Sequence, residues 1–490
     1  MRVLLVYPRT PATFWSFKHV LPFVSKKAAF PPLGLLTVAA LLPSRWHFRL
    51  VDCNVDDLAD ADIAWADYVL LSGMIVHAES AHEIATRCAD RGKPVIAGGP
   101  LFTTGHERFP EIPHFVLGEA EDVVAELADD MERGTVRAIY RAQGWPDLGR
   151  SPVPRWDLIN LADYVTMPVQ FSRGCPFNCE FCDIVVMNGR VPRTKPPEQV
   201  VRELEALRQA GWRDMVFIVD DNFIGNRRRT RQLLDELIRW RGRVDTSIGF
   251  LTEASVNLAD DQELCARMVE AGFKKVFLGL ETPSADSLAE CGKTQNAKRD
   301  LTDVVRSLQR AGLEVMGGFI VGFDSDPPDI FARQLEFIQR SGVVTAMVGL
   351  LTALPETALY RRLAREGRLL TETAGNNTDA VINFVSRLDR ELLVAGYRDL
   401  MRRLYAPRPY YRRIRAFLRA FRPSGPRTRL TPQDLRAFLK SLWVLGVRND
   451  GRFGYWSTLA WSLLTGPRKF QVAMELSIIG HHFRRIAETL

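Results

Sequence analysis

Cysteine is scarce in this chain. Only seven of its 490 residues are cysteine, which argues against a disulfide scaffold and for a reducing compartment, so we expect a cytoplasmic protein. No stretch of eighteen or more apolar residues free of charge occurs, and a transmembrane span is therefore not expected. No G-x-G-x-x-G segment follows the first predicted strand, so the usual dinucleotide fingerprint is absent. The composition, 46% hydrophobic and 25% charged, indicates an ordinary globular protein of two or three domains.

Three of the seven cysteines lie in one short segment. Cys175, Cys179 and Cys182 form a C-x3-C-x2-C pattern. A [4Fe-4S] cluster is usually held by four thiolates, so three leave one iron open to a small bidentate molecule, as in catalytic metal sites. A structural zinc site and three unrelated thiols are the alternatives. Zinc normally takes a fourth ligand from a second C-x2-C or H-x3-H pair, and no such pair follows here.

The first 125 residues alternate short β-rich runs with segments of helical length. This alternation predicts a parallel sheet with helices on both faces, and its strands are expected at 3–7, 48–52, 68–72, 94–97 and 114–117. Ligands of such sheets bind at the carboxyl ends of the strands. Glycine at three successive strand ends lets a large flat ligand approach the backbone. The residues found there are Ser72, Gly73, Gly98, Gly99, Gly118 and Glu119.

A second run of strands begins near residue 165, after a proline-containing stretch, 126–164, that predicts an irregular linker. Six βα units indicate a partial (β/α)6 barrel with its functional residues at the carboxyl ends of the strands. An isolated acid in such a position is also a common helix cap or turn former. The predicted strands are 165–171, 215–220, 246–251, 275–280, 315–321 and 346–351, and their ends carry the cysteine loop, Asp220, Asp221, Glu253, Glu281 and Gly318.

After about residue 355 the βα alternation stops, and the pattern predicts an all-helical region. Its aromatic residues Trp443, Trp456, Trp461 and Phe470 are expected in the core rather than in a cofactor site. Residues 401–430 hold ten arginines and no acidic residue. Such a segment suits nucleic acid or anionic lipid, but a solvated helix face or a scaffold for acidic neighbours explains it equally well.

The cysteine segment resembles the cluster loop of the radical S-adenosylmethionine (SAM) superfamily. The order of the parts, with FPPLGL at 30–35 and DDNFIGN at 220–226, resembles one subfamily in particular. It is the B12-binding radical SAM proteins with a C-terminal domain of unknown function, a group that includes the hopanoid C-2 methylases. The resemblance implies a Rossmann-like (flavodoxin-like) cobalamin-binding domain at 1–140, a radical SAM barrel at 151–355 and a helical domain at 356–490.

The resemblance also implies three cofactors. The catalytic [4Fe-4S] cluster would be bound by Cys175, Cys179 and Cys182, and SAM would lie beside Phe181, Asp220, Asp221, Glu253, Glu281 and Gly318. Cobalamin would rest on Ser72, Gly73, Gly98, Gly99, Gly118 and Glu119. The D-x-H-x-x-G motif of other cobalamin proteins, which supplies a lower axial histidine, is replaced by DCNVDD at 52–57. A base-off corrinoid without that histidine is implied, or else a domain that kept the fold and lost the ligand. His77 is either an alternative contact or an ordinary polar residue.

In that family, as the resemblance implies, one SAM methylates cob(I)alamin and a second is cleaved at the cluster to a 5'-deoxyadenosyl radical. The radical takes a hydrogen atom from an unactivated carbon, which then receives the methyl group. We therefore expect a C-methyltransferase with a small-molecule or lipid substrate and an electron donor such as flavodoxin or ferredoxin. Peripheral membrane contact is left open, and nucleic acid is not the expected partner. The alternatives are radical coupling, cyclisation or rearrangement without methyl transfer, tRNA modification, and a non-catalytic corrinoid or redox sensor.

Overall fold

The computed structural model describes residues 1–376, 378–425 and 431–490. Residues 426–430, the end of the arginine-rich segment, lie outside the described residues. The first part of the chain forms a six-stranded sheet whose strands are β1 (Arg2–Tyr7), β2 (His47–Asp52), β3 (Tyr68–Ser72), β4 (Val95–Gly98), β5 (His114–Leu117) and β6 (Ile139–Arg141). The helices of this part of the chain are α1 (Leu21–Val24), α2 (Leu33–Leu41), α3 (Asp60–Trp65), α4 (Ala78–Ala89), α5 (Pro100–Thr103) and α6 (Val124–Arg133).

Both faces of this first sheet are buried. The strand order is β2-β1-β3-β4-β5-β6, and every neighbouring pair is parallel. Leu4 and Val6 belong to the apolar cluster on one face, and Val3 and Leu5 belong to the cluster on the other. Alternate residues of a strand point to opposite faces, so a strand covered on both sides is a continuous apolar run. This is why β1 is recognisable from the sequence.

The sequence prediction misses β6 and the length of α6. Residues 126–164 are not irregular throughout, because α6 continues to Arg133 and β6 spans Ile139–Arg141. Gly134 ends α6 with φ +70° and donates its N–H to the carbonyl of Asp130, a common helix end that the prolines further on obscured. A strand of three residues is too short to show an alternating pattern, so β6 left no signal.

The second sheet is an open, parallel partial barrel, as predicted. Its strands have the order β14-β13-β12-β11-β10-β7, and each neighbouring pair is parallel. A short antiparallel pair, β8 and β9, brackets the cysteine loop. The strands are β7 (Met167–Val169), β8 (Ser172–Arg173), β9 (Arg193–Thr194), β10 (Val216–Ile218), β11 (Phe250–Ala254), β12 (Phe273–Glu281), β13 (Glu314–Val321) and β14 (Ala346–Leu350).

Helices alternate with these strands and cover the outside of the barrel. They are α7 (Ile184–Asn188), α8 (Pro197–Gln209), α9 (Arg227–Arg243), α10 (Gln262–Ala271), α11 (Ala285–Glu290), α12 (Thr294–Ala297), α13 (Leu301–Ala311), α14 (Ile330–Ser341) and α15 (Ala358–Arg365). The longer ones fill the segments between the predicted strands, and each has an apolar stripe with the spacing of a surface helix.

The C-terminal region is helical, as predicted, and shares its core with the barrel. One continuous apolar cluster contains barrel strands, the C-terminal helices and the N-terminal residues Phe14 and Phe23. The domain boundaries 1–140, 151–355 and 356–490 stay a prediction. The helices are α16 (Arg390–Tyr405), α17 (Pro407–Ala420), α18 (Pro432–Trp443), α19 (Arg452–Thr465) and α20 (Pro467–Thr489), with a π-helical turn at Val444–Arg448.

Two expectations for this region need revision. Trp443 and Trp456 are not core residues, since their exposed fractions are 53% and 47%. Arg413 of the arginine-rich segment is fully buried, where it donates to the carbonyl of Leu404 at 3.0 Å and lies 5.2 Å from the ring centre of Tyr410. At least this arginine serves the fold. Within the part of the chain that the structure describes, no helix is long and apolar enough to cross a bilayer.

Candidate active site

The cysteine loop follows β8 and depends on a glycine. Gly174 has φ +96°, and a Cβ there would lie 2.9 Å from the carbonyl oxygen of Asn188. A side chain at this position would therefore be strained twice, by the backbone conformation and by contact. The loop is tied back on itself, because Cys182 donates its N–H to Cys179 at 3.1 Å and Cys175 donates its N–H to the carbonyl of Gly189 at 3.2 Å.

The three thiols share one partly buried region. Burial raises the pKa of each, and the charge of each of the other two contributes to the raised pKa of Cys182. Two side-chain amides lie near the thiols: Nδ2 of Asn222 is 3.8 Å from Sγ of Cys175, and Nε2 of Gln295 is 3.9 Å from Sγ of Cys179. Among the described residues no three His, Cys, Asp or Glu side chains converge on a position for a single metal ion. Three soft thiol donors suit an iron-sulfur cluster, whose irons are bound by thiolates.

Asp220 and Asp221, just after β10, hold the start of this loop by hydrogen bonds. Asp220 is buried and accepts from the N–H of Phe171 at 2.8 Å and from Oγ of Ser172 at 2.6 Å. Its pKa is raised to about 7 by burial. Asp221 accepts from the N–H of Gly174 at 2.9 Å. Both acids are thus engaged with the chain, and they hold the cysteine loop against the neighbouring strand.

Glu253, at the end of β11, is the third predicted acid near the loop. It is partly buried, and burial followed by the charges of Asp221 and Asp220 raises its pKa to about 8. A carboxyl group at that pKa is mostly protonated at neutral pH, so it can donate a hydrogen bond as well as accept one. None of the described residues forms a hydrogen bond with its carboxyl group, which is therefore available to a ligand.

Glu281 pairs with a lysine that the sequence reasoning missed. The backbone of Glu281 has φ +61°, a value that is rare for a residue other than glycine. Its carboxylate accepts a hydrogen bond from Nζ of Lys293. Burial alone lowers the pKa of Lys293, but the charge of Glu281 and then that of Cys179 outweigh it, so the pKa is raised. Nζ also lies 5.9 Å from the ring centre of Phe181. No spacing rule marks a lysine twelve residues past a strand end, so no sequence pattern predicted this pair.

Gly318, in β13, is packed rather than open. A Cβ there would lie 2.9 Å from the ring of Phe277, so an aromatic side chain already occupies the space beside this glycine.

The strand ends of the first sheet form a smooth, mostly side-chain-free edge. Gly99 has φ +92°, and a Cβ on it would lie 2.5 Å from Oγ of Ser72. Gly118 has φ +83° with nothing within 4 Å of its Cβ position, so the space above it is open. A Cβ on Gly98 would lie 3.2 Å from a backbone oxygen, and one on Gly73 would meet the ring of His77. A flat ligand can approach such an edge closely.

His77 lies beneath this edge and is fully engaged. It is 2% exposed. Its Nδ1 accepts from the N–H of Met74 at 3.0 Å, and its Nε2 lies 2.9 Å from Oγ1 of Thr10. Burial lowers its pKa to about 4, so the ring is neutral. The geometry favours the interpretation of His77 as an ordinary polar residue.

Glu119 connects the two sheets. Its carboxylate bonds Arg173, which precedes the cysteine loop, and Nη2 of Arg193 in β9 at 2.5 Å. Arg173 also pairs with Glu121 at 2.8 Å. All four side chains are largely buried. The predicted cobalamin edge and the cysteine loop are therefore joined by a four-residue ion network, and neither arginine was predicted because no sequence pattern links distant ion partners.

One cavity of about 1190 Å³ extends from the first sheet to the barrel. It is larger than most small-molecule sites. Eight predicted site residues line it: Ser72, Gly98, Gly99, Gly118, Glu119, Asp220, Asp221 and Glu253. As far as the described residues form its wall, the three cysteines, Phe181, Glu281, Gly318 and Gly73 are not part of it. The cavity therefore unites the predicted cobalamin edge with part of the predicted SAM site.

The N-terminal segment supplies an aromatic wall of this cavity. Trp15 and Phe30 line it together with Phe217 of β10. The ring of Trp15 is stacked on that of Phe217, with 6.1 Å between ring centres, and lies 5.3 Å from that of Phe277. The cavity wall thus contains both the acids and these rings, and we call the part that the rings form the aromatic end of the cavity. Trp15 and Phe30 were missed as site residues because they precede the barrel by more than a hundred residues.

A glycine-edged parallel sheet that shares a cavity with a partial barrel, where the barrel also carries a three-cysteine loop, is the arrangement of a B12-binding radical SAM protein. Family models agree with it: the B12 binding domain matches residues 24–128, the radical SAM superfamily matches 169–338, and a domain of unknown function, DUF4070, matches 357–490.

Known proteins are similar over the whole chain. An uncharacterized methyltransferase of Synechocystis sp. is 42% identical, with 100% of this chain and 92% of the relative covered. The hopanoid C-2 methylase of Rhodopseudomonas palustris is 33% identical, with 98% and 92% covered. The structure of the methyltransferase TsrM from Kitasatospora setae, with cobalamin and a [4Fe-4S] cluster bound, aligns with a TM-score of 0.63 at 16% identity and covers 100% of this chain and 99% of TsrM.

The chain therefore belongs to the B12-binding radical SAM family with a C-terminal DUF4070 domain, the family of the hopanoid C-2 methylase. It is a radical SAM methyltransferase whose cofactors are a [4Fe-4S] cluster, SAM and cobalamin. The predicted family, fold class, reaction class and cofactors are confirmed. The individual contact residues stay predictions.

Proposed function

We propose that the protein methylates an unactivated carbon of an apolar, lipid-like substrate that binds in the shared cavity. The observation that carries this proposal is the cavity itself, because one space touches the strand ends of the first sheet, the acids of the barrel and an aromatic wall. A substrate in that space would lie between the predicted cobalamin edge and the barrel acids Asp220, Asp221 and Glu253. Two chemical steps on one carbon need this proximity.

When bound, the cofactors supply the reductive cleavage of SAM and the methyl donor, since cofactors carry the chemistry that side chains cannot perform. The chain's part is positioning. Cys175, Cys179 and Cys182 would hold the cluster, while Asp220 and Asp221 keep their loop in place through the bonds to Ser172 and Gly174. We also propose that SAM is contacted by Phe181, Glu253, Glu281 and Gly318. A substrate that fills the cavity would exclude water from the reacting carbon.

We propose that cobalamin is bound base-off, with no histidine from the protein on the cobalt. Ser72, Gly73, Gly98, Gly99, Gly118 and Glu119 are its proposed contacts. Of the described residues that line the cavity, the one histidine is His77, and both of its ring nitrogens already have partners. The electron paramagnetic resonance spectrum of the cob(II)alamin form tests this. We expect no nitrogen splitting from an axial ligand, and a spectrum with that splitting would contradict the proposal.

The aromatic end of the cavity is the proposed substrate site. Trp15, Phe30 and Phe217 offer ring faces to an apolar polycyclic molecule, and aromatic faces contribute large contact areas. One relative is a hopanoid C-2 methylase by name, so we propose a polycyclic isoprenoid as the substrate class. Contact with the membrane where such lipids reside belongs to the same proposal.

Isotope transfer tests the substrate class. The reconstituted enzyme is incubated with SAM carrying a deuterated methyl group and with separate panels of polycyclic isoprenoids, acyl lipids and tetrapyrroles. We expect the label in an isoprenoid, detected by mass spectrometry, and much less of it with Trp15→Ala. Val381→Ala, an exposed residue outside the cavity wall, is the matched control. Label only in a tetrapyrrole or an acyl lipid would overturn the proposed class, and 5'-deoxyadenosine without any methylated product would favour a non-methylating radical reaction.

The electron for SAM cleavage must come from outside the chain. We propose a small redox protein such as flavodoxin or ferredoxin as the donor. Replacing a chemical reductant with reduced flavodoxin should support 5'-deoxyadenosine formation at a comparable yield, and failure with both flavodoxin and ferredoxin would exclude this class of donor.

A further inference from the structure

The C-terminal helices carry an exposed apolar surface that the catalytic site does not use. Large apolar side chains there face solvent, including Trp443 at 53%, Phe453 at 78% and Leu464 at 88% exposure. Most apolar residues of the other C-terminal helices, α16, α17 and α20, are buried, so a cluster of exposed ones needs an explanation. We call this surface the apolar strip, and its residues are Leu435, Leu439, Trp443, Val447, Phe453, Trp456, Leu463 and Leu464.

The strip follows helical periodicity. Leu435, Leu439 and Trp443 are four residues apart and so share one side of α18. On the other side of that helix Ala437 and Ser441 are buried. Residues with this spacing normally face a core. Here they face outward, so the helix is apolar on the side where a solvated helix would be polar.

Contacts within the protein join the parts of the strip. Nε1 of Trp456, on α19, donates to the carbonyl of Gly446 at 2.9 Å. A Cβ on Gly446 would lie 2.9 Å from the Trp456 ring, so glycine at this position permits the close approach. Gly446 lies in the π-helical turn that continues α18. The exposed residues of α18 and α19 therefore form neighbouring parts of one surface.

Positive charge surrounds the apolar residues. Residues 431–465 contain four basic residues, Arg436, Lys440, Arg448 and Arg452, and two acidic ones, Asp434 and Asp450. The guanidinium of Arg448 lies 5.3 Å from the ring centre of Trp443, and that of Arg452 lies 5.3 Å from that of Phe453. Asp434 is engaged in the N-cap of α18 with Thr431. The surface therefore combines apolar side chains with an excess of cations.

We propose that the apolar strip docks on an anionic membrane surface. Helices that lie in the bilayer interface combine Trp, Phe and Leu with Arg and Lys. Their apolar side enters the acyl boundary, and their cations meet the headgroups. This inference extends the membrane contact in the proposed function and names the surface that makes it. Its test measures vesicle binding and does not depend on methyl transfer.

The strip lies close to the cavity through one short helix. Nζ of Lys440 donates to the carbonyl of Pro22 at 2.7 Å, and Nε2 of Gln433 donates to that of Val24 at 2.9 Å. Pro22 and Val24 belong to α1, and Leu21 of the same helix lines the cavity. Docking would therefore place the cavity one helix away from the lipid surface, a short path for an apolar substrate.

Co-sedimentation of the cofactor-loaded full chain with vesicles tests the inference. One vesicle contains equal parts of phosphatidylcholine and phosphatidylglycerol, and the other contains phosphatidylcholine alone. Each cation near an anionic surface contributes roughly fivefold to partitioning. We therefore expect Arg436→Gln with Arg452→Gln to lower binding to the anionic vesicles about 25-fold and to change binding to neutral vesicles little. High salt should weaken anionic binding of the unmodified protein as well.

A second variant removes the apolar contribution. Trp443→Gln, Phe453→Gln and Leu439→Gln together should lower partitioning more than tenfold on both vesicles, since they remove most of the inserted apolar area. These side chains are exposed, so the fold should tolerate the changes. The matched control is Ile139→Gln with Val381→Gln, two exposed apolar residues elsewhere, and it should bind like the unmodified protein.

Three results would overturn the inference. The first is failure of the unmodified protein to sediment with anionic vesicles at low salt. The second is equal sedimentation by the control and by the triple glutamine variant, which we call the strip variant. The third is a dimer, detected by analytical ultracentrifugation, that the strip variant loses while its vesicle binding is unchanged, because the strip would then be an interface between copies. Methylation of a detergent-solubilised substrate by the strip variant shows whether its catalytic site is intact when vesicle binding is lost. If vesicle binding is confirmed and no lipid is methylated, the proposed substrate fails and the docking surface stands.

Discussion

The ion network at Glu119 gives the most specific prediction, because it joins the first sheet to the cysteine loop. Glu119→Gln keeps the shape of the side chain but removes one of two carboxylates that face Arg173 and Arg193. The side chains of Arg173, Arg193 and Glu119 are 16%, 17% and 7% exposed, so solvent cannot replace the lost charge. Removing one partner of a buried ion pair costs about 3 to 5 kcal/mol.

The expected magnitude is at the lower end of that range, about 3 kcal/mol, because Arg173 keeps Glu121 at 2.8 Å. Urea unfolding of the apoprotein measures it as a change in the free energy of unfolding. Glu126→Gln is the matched control, since its pair with Arg137 is exposed and such surface pairs contribute at most about 1 kcal/mol. Arg193→Gln combined with Glu119→Gln should recover part of the loss, because the charges again balance.

The same variant should disturb the cysteine loop. Arg173 immediately precedes Gly174, so a displaced arginine moves the loop that would hold the cluster. We expect weaker SAM binding by the reconstituted Glu119→Gln protein than by Glu126→Gln. If the two variants unfold within about 0.5 kcal/mol of each other and bind SAM equally, the network does not position the loop and this reasoning is refuted.

Three further predictions concern other parts of the chain. Lys293→Met should destabilise the protein by about 3 kcal/mol, because Glu281 is left buried without its partner; urea unfolding measures this, and Lys293→Met with Glu281→Gln should recover part of it. Burial lowers the pKa of His482 to about 4. As the pH falls, His482 therefore takes up a proton in the unfolded state before it does so in the folded state. The free energy of unfolding should fall by about 3 kcal/mol between pH 6.5 and 4. His482→Gln should reduce that slope in unfolding measured across pH, and an unchanged slope would contradict the assignment. Trp15→Ala should raise the KM for the substrate more than it lowers kcat, since Trp15 lines the cavity whereas, among the described residues, none of the three cysteines does. Steady-state kinetics would show the opposite split if Trp15 served the chemistry.

Local patterns predicted the two sheets because their signals are short-range. The buried run of β1 and the apolar stripes of α9, α13 and α14 each lie within one element, so each can be recognised alone. The cysteine spacing is equally local. The prediction failed where the signal is weak or conflicts with prolines, as at β6, and where an apolar helix side faces outward, as at Trp443. Periodicity shows that a stripe exists but not what covers it.

The site was predicted only in part for the same physical reason. Glu119 and Glu253 could be located from strand ends, because parallel strands align their carboxyl ends. Their surroundings depend on residues distant in sequence: Arg173 and Arg193 for Glu119, and Trp15 for the cavity wall. Such contacts are produced by the packing of one sheet against the other, and no short pattern in the chain records them.

Anaerobic reconstitution with iron, sulfide and hydroxocobalamin tests the central claim most directly, by comparing the unmodified protein with Cys179→Ala and with Cys265→Ala as a buried-cysteine control. The account predicts that the unmodified protein and the control bind a [4Fe-4S] cluster and a corrinoid and, with SAM and a reductant, release 5'-deoxyadenosine. Cys179→Ala should retain the corrinoid and lose that product. Tetrahedral zinc in place of the cluster, or 5'-deoxyadenosine release that persists in Cys179→Ala, would contradict the account.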